Sequence, residues 1–511
     1  MRWVDFKDSV KRFWDEYKHQ KSGMVGLIFL ILLFVLAIGA PFMTSPDVPV
    51  KWQTGVAWIT NPKNAPPSWE NYFTSETKAV QVEYTASNIH METMTNGSYK
   101  VYKLSMTYNM KYDVPPADIV IAGLNSTATN PKEVPVVSVT LVRPPEKGIK
   151  DNNLQLISGI TLPNGNAIQV GPLSQTKNHL LYWLYINGIL QIPNVPPQMI
   201  NPNNINMFVM TNATLYQMVA AMDPMRIMFG RVTDENGNKL SIEQILSNPT
   251  PFKGTYGLVV TITAPKDVKL DFSNFKVAFV GRTYGILGTD QYGRPIALGI
   301  LWGTRVALAI GLAVSISSVL IGILIGVTSA YLGGWADEAI QRFTEFMMTL
   351  PVLPMLILLS LYFGGRINLT QLVSFLVLFG WMGTTKVARS MALQIKEQTY
   401  VEAARALGAS TGRVVFKHIV PQLLPYAFAS IALSVPGAIL SEAGLSFLGL
   451  TSQNLITWGQ MLNAAQQNGA TINGYWWQVI PPGLAISFVG LVFVLLGVSL
   501  DTVLNPRLKR V

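Results

Sequence analysis

The residues best suited to a mechanical or recognition role lie in the segment 390–425, between two hydrophobic stretches. Glu402 supplies a charge for a basic group on a partner protein, and the two alanines after it permit a partner to approach a helix closely. Gly408 allows the chain to turn, because glycine tolerates a positive φ. A short polar helix held at a membrane surface in this way can pass force to the hydrophobic stretches on either side.

The chain lacks the residue sets of the common catalytic sites. It contains no cysteine, which excludes disulfides, thiolate metal sites and cysteine nucleophiles. No Gly-x4-Gly-Lys-Ser/Thr phosphate loop is present, so the chain does not bind ATP in that way itself. No Ser-His-Asp set stands out, and the four histidines are scattered, which disfavours a metal site: His19, His90, His179 and His418. We therefore expect neither an enzyme nor a cofactor on this chain.

The composition indicates a membrane protein. Of the 511 residues, 49% are hydrophobic and only 13% are charged, whereas soluble domains usually carry about 25% charged residues. The net charge of +10 lies mostly outside residues 70–287, which hold 17 basic and 15 acidic residues. Basic residues collect in cytoplasmic segments of membrane proteins. No basic stripe with interleaved aromatics is present, so nucleic-acid binding is not expected.

Six apolar stretches are long enough to be transmembrane helices. We expect them near residues 24–43, 304–331, 347–363, 372–386, 423–440 and 484–503. Basic residues between 386 and 417, and again at 507–510, predict that the segment 390–425 and both termini are cytoplasmic. Residues 44–303 then lie outside. Residues 1–23 are amphipathic and predict a helix on the inner lipid surface, with a solvated helix as the alternative.

Residues 70–287 read as a soluble domain inserted after the first span. Residues 80–84, 101–112, 136–142 and 256–263 alternate or are β-branched, as in strands. Two helices are expected, near 178–190 and 213–229. The pattern predicts a β-rich domain of sandwich type with its own core. Four Asn-x-Ser/Thr sequons fall on the predicted outer face and are candidate N-glycosylation sites: Asn96, Asn125, Asn212 and Asn368.

The spacing in the segment 390–425 resembles the coupling loop of binding-protein-dependent ABC importer permeases. Glu-Ala-Ala is followed by Gly408, then by Ile419-Val420-Pro421 and by Leu424-Pro425. Residues 287–294, 302–305, 331–337 and 441–450 resemble other motifs of the dipeptide, oligopeptide and nickel class. The resemblance covers residues 1–69 and 288–511. It assigns two groups of residues: a coupling loop of Glu402, Ala403, Ala404, Arg405, Leu407 and Gly408, and an outer-loop motif of Gly288, Thr289, Asp290, Gly293 and Arg294.

This resemblance implies an α-helical membrane protein of the type I ABC importer class, with a β-rich extracytoplasmic insert. It implies the permease subunit of an ATP-driven importer of dipeptides or oligopeptides, in the cell membrane. Its partners would be a second permease chain, two ATP-binding subunits that hold ATP and Mg²⁺, and an external solute-binding protein. Oligosaccharides are the alternative substrate. A membrane-tethered receptor or adhesion protein is the rival class, although five later spans exceed what an anchor needs.

Three further expectations concern individual features. Asp290 and Arg294 are expected to pair and fix their loop, and Gly408 to have a positive φ. The insert separates residues 65–69 from the Gly-Thr-Asp motif, where typical members of the class have only a few residues. Its position suggests a cradle for the solute-binding protein, with a protective or surface-layer role as the alternative. The external sequons and the absence of cysteine suit an archaeal source.

Overall fold

A computed structural model describes residue 11 and residues 13–127, 134–162, 166–192, 195–452 and 454–504. The chain divides into two compact units. One unit contains the chain up to Thr54 and the chain from Ile296 onwards, and the other contains Gly55–Pro295. The first unit is helical, and all strands of the described residues belong to the second.

The helices of the first unit follow the apolar stretches of the sequence. They are Lys21–Met43, Val48–Lys51, Ile296–Leu332, Gly334–Thr349, Val352–Tyr362, Leu369–Gly380, Met382–Lys396, Thr399–Ala406, Thr411–Val414, Val420–Phe447, Trp458–Gln467 and Trp476–Leu504. A π-helical turn at Val415–Ile419 joins two of them, so Thr411–Phe447 forms one long helical segment.

Four helical segments are long and apolar enough to cross a membrane: Lys21–Met43, Ile296–Leu332, Thr411–Phe447 and Trp476–Leu504. Two helix pairs meet the same test only together. Gly334–Thr349 and Val352–Tyr362 meet at 82°, and Leu369–Gly380 and Met382–Lys396 meet at 42°. Pro351 lies at the first break, where it has no N–H to continue the helix. The described residues thus hold four spans, or up to six if each bent pair is one.

Glycines let two of these helices pack closely. A Cβ added at Gly322 would lie 2.7 Å from the carbonyl oxygen of Trp381, and one at Gly326 would lie 2.5 Å from that of Thr385. The Thr385 hydroxyl also donates to the Gly322 carbonyl at 3.1 Å. Small residues allow this backbone approach in membrane helices, and the interpretation of these span glycines as close-packing positions is confirmed.

The start of the chain is described only in part. Residues 13–17 are helical, and the buried Tyr17 hydroxyl donates to the Gly23 carbonyl at 2.9 Å. This bond ties the short helix to the first apolar helix. Residues 1–10 and residue 12 lie outside the described residues, and so do the basic residues at 507–510. The interfacial role of residues 1–23 therefore stays a prediction.

Within its described residues, the second unit contains eleven strands. They are β1 (Val82–Thr85), β2 (His90–Asn96), β3 (Tyr99–Met110), β4 (Asp118–Ala122), β5 (Asn125–Thr127), β6 (Val136–Val142), β7 (Asn153–Thr161), β8 (Ala167–Gln169), β9 (Gly254–Pro265), β10 (Lys269–Asp271) and β11 (Lys276–Val280). They form a five-stranded sheet of order β2-β3-β9-β6-β7, a four-stranded sheet of order β1-β11-β4-β8, and the pair β10-β5. All the pairings within these sheets are antiparallel.

The two larger sheets contribute to one hydrophobic core, as the sandwich prediction requires. β3, β6 and β9 alternate buried and partly exposed residues, which is the pattern of strands with one covered face. Tyr108 of β3 stacks on Phe279 of β11 with ring centroids 4.2 Å apart. Phe229 contacts both rings edge-on. The unit therefore has the core that its alternating sequence predicts.

The helices of this unit differ in detail from the two that the sequence suggests. They are Ser174–Ile186, Ile205–Met210, Ala213–Ala220, Pro224–Met228 and Ile242–Ser247. The expected helix at 213–229 is broken because Asp223 caps a new helix that starts at Pro224, accepting a bond from the Met225 N–H at 3.0 Å. The helix expected at 178–190 is the helix Ser174–Ile186, which is capped at its end by Asn187 and followed by Gly188 with φ +67°.

A buried ion pair joins the strands to a loop of the insert. Arg143 and Glu146 are almost fully buried, and their side chains meet at 2.8 Å. Glu146 also accepts bonds from the backbone N–H groups of Val232 and Thr233 at 2.8 and 2.9 Å. The Arg143 guanidinium lies 4.7 Å from the Trp183 ring centroid. Arg143 also donates to the Gly230 carbonyl at 2.7 Å, so both buried charges have hydrogen-bond partners besides each other, which a stable buried ion pair needs.

Glu146→Ala should destabilise the insert by about 3–5 kcal/mol, because it leaves the Arg143 charge buried without its partner. The free energy of opening, measured by amide hydrogen exchange along β6 and β9 of the purified chain, tests this. Glu235→Ala, at an exposed position, is the matched control. A loss below about 1 kcal/mol, typical of exposed ion pairs, would contradict the assignment.

Asp118 is a second buried acidic group of the insert. Burial raises the pKa of its carboxyl group to about 6, although the backbone N–H groups of Gly171 and Ile119 donate to it and oppose this rise. The raised pKa means that folding favours the protonated form. The stabilising contribution is present below the unfolded pKa and is lost as the pH rises through the folded value.

The stability of the insert should therefore fall between about pH 4 and pH 6, by a few kcal/mol at most, since one pKa unit corresponds to about 1.4 kcal/mol. Asp118→Asn should remove this slope, because the amide does not ionise. Unfolding monitored by hydrogen exchange at pH 4, 5, 6 and 7 measures it. An unchanged slope in the variant would assign the effect to other groups.

Candidate coupling segment and loop motif

The short helix Thr399–Ala406 is held at the end of the helical bundle by one side chain. Val401 is fully buried in an apolar cluster with residues of three long helices, including Val327, Ala392 and Ile419. An isolated helix of this length is not stable in water. Tertiary packing through Val401 therefore fixes the helix on one side.

The other side of this helix is exposed. Glu402, Ala403, Arg405 and Gly408 are exposed, and Ala404 is partly buried. Leu407 is 88% exposed. Among the described residues Glu402 forms no ion pair, so its carboxylate is available to a partner. The arrangement presents one charge, one apolar side chain and a flat alanine surface, which suits docking against a protein.

Gly408 ends the helix in the way its sequence position predicts. Its φ is +85°, its N–H donates to the Arg405 carbonyl at 2.9 Å, and the Ala409 N–H donates to the Ala404 carbonyl at 3.0 Å. These two bonds form a Schellman motif, which favours glycine at the left-handed position. The prediction of a positive φ at Gly408 is confirmed.

Tyr331 connects this helix to the end of the long helix Ile296–Leu332. The Arg405 guanidinium lies 5.8 Å from its ring centroid and the Lys396 ammonium 5.9 Å. Lys396 also donates to the carbonyls of Ala330 and Tyr331 at 3.3 and 3.4 Å, where a cation complements the helix dipole. The sequence assigns Arg405 to the coupling loop and gives no sign of this long-range contact.

A second polar network links the same end of Ile296–Leu332 to two neighbouring helices. Asp337 accepts two bonds from Arg389, one of them from Nε at 2.7 Å, and a further bond from the Ser329 hydroxyl. Gln341 donates to Ser329 at 3.0 Å. A bidentate arginine–carboxylate pair is strong and geometrically specific. In the sequence, Arg389 only counted among the basic residues that predict a cytoplasmic segment. No local pattern predicted that it would pair with Asp337.

The Gly288–Arg294 motif forms a closed loop in the second unit. Asp290 and Arg294 pair at 2.6 Å, as the sequence predicts. Asp290 also accepts bonds from the backbone N–H groups of Tyr292 and Arg294, both at 2.9 Å. Gly293 has φ +80°, and a Cβ there would lie 2.9 Å from the Trp58 carbonyl oxygen. The loop therefore needs glycine at this position for two independent reasons.

The segments on either side of the insert are hydrogen-bonded to each other. The buried Thr289 hydroxyl donates to the Pro62 carbonyl at 2.6 Å and accepts from the Ala65 N–H at 3.0 Å. The Ser68 N–H donates to the Gly285 carbonyl at 2.9 Å, and the Trp69 indole donates to the Ile286 carbonyl at 2.8 Å. Residues 62–69 and 285–289, which flank the insert in the sequence, are thus adjacent in space. The insert leaves and re-enters the chain at one point.

Glu442 is a buried carboxylate near the end of the helix Val420–Phe447. It is 3% exposed and accepts a bond from the Ser446 hydroxyl at 2.6 Å. Ser446 in turn contacts the Thr451 hydroxyl at 2.7 Å. The chain folds back after Phe447 and brings Thr451 to the helix that carries Glu442. This network pins the segment that follows the helix.

The four sequons lie at different kinds of position. Asn96 is exposed at the end of β2, and Asn125 is partly buried in β5. Asn212 and Asn368 cap helices, accepting bonds from the N–H groups of Leu215 and Gln371. Glycosylation of these residues stays a prediction. Within the described ranges no group of three or more His, Asp or Glu is placed to hold a metal ion.

Two family models match this chain. Residues 318–510 match the binding-protein-dependent transport system inner membrane component, and residues 10–67 match the N-terminal transmembrane domain of oligopeptide transport permease C. The insert lies outside both. An amino acid ABC transporter crystal structure is 19% identical and covers 41% of this chain and 95% of its own, with a TM-score of 0.26, which is too low to bear on the fold.

Curated relatives are similar to this chain over less than half of its length. A dipeptide transport system permease of Bacillus subtilis is 34% identical over 44% of this chain and 69% of the relative. An oligopeptide transport system permease of Haemophilus influenzae is 32% identical over 46% of this chain and 75% of the relative. Residues 318–510, which match the first family model, contain the candidate coupling segment. The chain belongs to the family of binding-protein-dependent transport system inner membrane components.

Proposed function

We propose that this chain is the permease subunit of an ATP-driven importer of short peptides that works with a solute-binding protein. The names of the relatives, dipeptide and oligopeptide transport permeases, support peptides as the substrate class. No described residue favours the alternative, oligosaccharides. The chain is a transport subunit and not an enzyme, with ATP and Mg²⁺ on separate ATPase subunits.

The proposed topology has six spans with both termini in the cytoplasm. The four long helices and the two bent pairs support this count. The basic residues around the coupling segment support its cytoplasmic location. The insert and the Gly288–Arg294 motif are then extracytoplasmic, where the solute-binding protein would deliver its ligand, and a second permease chain completes the pore.

The observation that carries this proposal is the geometry of the helix Thr399–Ala406. Its exposed face holds Glu402, Ala403 and Leu407, which we assign to docking on an ATPase subunit. On its other side Val401 is buried among neighbouring helices, and Arg405 contacts the ring of Tyr331. A movement of the ATPase would therefore displace the ends of the long helices directly, and these helices would open the path to the outside or to the inside.

Gly408→Ala should reduce ATP-driven peptide uptake about tenfold. A Cβ at Gly408 meets no atom within 4 Å, so the substitution strains only the backbone, by about 1–3 kcal/mol. This strain opposes the Schellman end that orients the exposed face. Uptake of a labelled tripeptide into proteoliposomes with the ATPase subunits measures the effect.

Gly412→Ala is the matched control. A Cβ added at Gly412 would also meet no atom within 4 Å, and Gly412 lies in a helix without a positive φ. Alanine should therefore be tolerated there or slightly stabilise the helix. Equal uptake by the two variants would remove the Schellman end from the coupling mechanism. Loss of co-purified ATPase in Gly408→Ala alone would place the defect at docking.

The insert should be removable without loss of the permease. Replacing residues 74–281 by a short Gly-Ser linker keeps the bonds of Thr289, Ser68 and Trp69 that close the junction. Under the cradle hypothesis the deletion should leave ATPase co-purification intact and weaken docking of the solute-binding protein. Affinity measured by surface plasmon resonance against the full chain tests this, and unchanged affinity would reject the cradle.

A further inference from the structure

The insert contains a groove that the family resemblance does not explain. The turn at Gly188–Gln191, the helix Ala213–Ala220 and the segment Lys239–Glu243 surround a cavity of about 530 Å³. Ligand sites for small molecules commonly have volumes of about 300–1,000 Å³. The family models match residues 10–67 and 318–510 and leave this groove unassigned.

One part of the groove surface is apolar. Its side chains are Ile189, Leu190, Leu215, Met218, Leu240 and Ile242. Methionine is flexible and polarisable, and it adapts to ligands of different shape. Neighbouring exposed methionines, among them Met207 and Met210, extend this character beyond the groove. Such a wall suits side chains of variable size.

A second part of the groove carries uncharged polar groups. Gln191, Asn212 and Thr214 line it. The Asn212 Oδ1 atom accepts a bond from the Leu215 N–H at 3.1 Å, which fixes this side chain at the start of the helix Ala213–Ala220. Amide and hydroxyl groups match the carbonyl and N–H groups of a peptide main chain.

Two side chains of opposite charge complete the lining, Lys239 and Glu243. Both are exposed, and neither forms an ion pair within the part of the chain that the structure describes. The Lys239 ammonium lies close to the turn, since a Cβ at Gly188 would come within 2.8 Å of Nζ. Residues 180–222, which supply the rest of the lining, include no Asp, Glu, Lys or Arg. The charge pattern of the groove is therefore that of one cation and one anion.

We propose that this groove binds a short peptide through its two free termini. Lys239 pairs with the terminal carboxylate, Glu243 with the terminal ammonium, and the amides contact the main chain. The apolar wall takes the side chains without strict selection. The choice of a peptide rests on the proposed function, while charge complementarity and the apolar wall argue for it independently.

Isothermal titration calorimetry of the purified full-length chain in detergent tests the proposal. The probes are Ala-Leu-Ala, the same peptide with an amidated C-terminus, and the same peptide with an acetylated N-terminus. The free peptide should bind about tenfold more tightly than either blocked form, because each charged contact is worth roughly that factor. Lys239→Ala should abolish the preference for a free C-terminus only, and Glu243→Gln the preference for a free N-terminus only.

Two matched variants serve as controls. Lys266→Ala and Glu235→Gln change exposed charges of the insert outside the groove, and they should leave all three affinities unchanged. Thr214→Trp, at an exposed lining position, should fill the groove and remove binding while hydrogen-exchange protection of the insert stays as in the unmodified chain. Equal binding of free and blocked peptides, no binding at millimolar peptide, or equal effects of groove and control variants would overturn the proposal.

The outcome is separable from the test of the proposed function. Peptide binding is measured on the chain alone, without ATPase subunits, whereas uptake needs the assembled importer. Peptide uptake without binding to the insert would reject the groove and leave the importer in place. Binding to the insert without ATP-driven uptake would support the groove and count against the importer.

Discussion

The structure of the helical unit depends on the constraint that hydrocarbon imposes on backbone polar groups. A chain that crosses the bilayer must satisfy every N–H and C=O within its own helices. Long apolar helices such as Ile296–Leu332 and Trp476–Leu504 do so, and they carry few ionisable groups. Polar contacts therefore concentrate where these helices end. The Asp337–Arg389 pair and the Lys396 contacts with the carbonyls of Ala330 and Tyr331 are at such an end.

The same constraint explains where a large insert can enter. Between two spans, outside the apolar stretches, a loop may be extended at little cost if its two ends stay together, because loop-closure entropy grows slowly with length. Here the bonds of Thr289 to Pro62 and Ala65, and of Trp69 to Ile286, hold the ends together. The insert then folds on a core of its own, with Tyr108 and Phe279 at its centre.

Local chemistry could be predicted from the sequence, and long-range chemistry could not. The positive φ of Gly408 and the Asp290–Arg294 pair depend on residues at most five positions apart, and both are confirmed. The strands at Tyr99–Met110 and Gly254–Pro265 follow from alternation over many residues. The contact of Arg405 with Tyr331 joins residues 74 positions apart. No local pattern encodes such a partner, so the sequence showed only a charge.

Two polar side chains have roles that hydrophobic periodicity does not show. The helix expected at 213–229 breaks because Asp223 caps a new helix at Pro224–Met228. Glu442 is buried and accepts a bond from the Ser446 hydroxyl, which also meets the Thr451 hydroxyl after the chain turns back. In both places a carboxylate satisfies a nearby backbone or hydroxyl group. Hydrophobic periodicity does not reveal such interactions, because it takes no account of hydrogen-bond partners.

The coupling role proposed for the helix Thr399–Ala406 depends on the few contacts that hold this helix in place. Eight residues cannot sustain a helix alone, so its position follows from Val401, the Schellman end and the contact with Tyr331. Val401 and the contact with Tyr331 connect it to neighbouring helices, whereas the Schellman bonds fix only its own end. In the proposed function, a displacement of the ATPase at the exposed face would reach the long helices through the buried Val401 and through Tyr331, because these side chains are what hold the short helix in place.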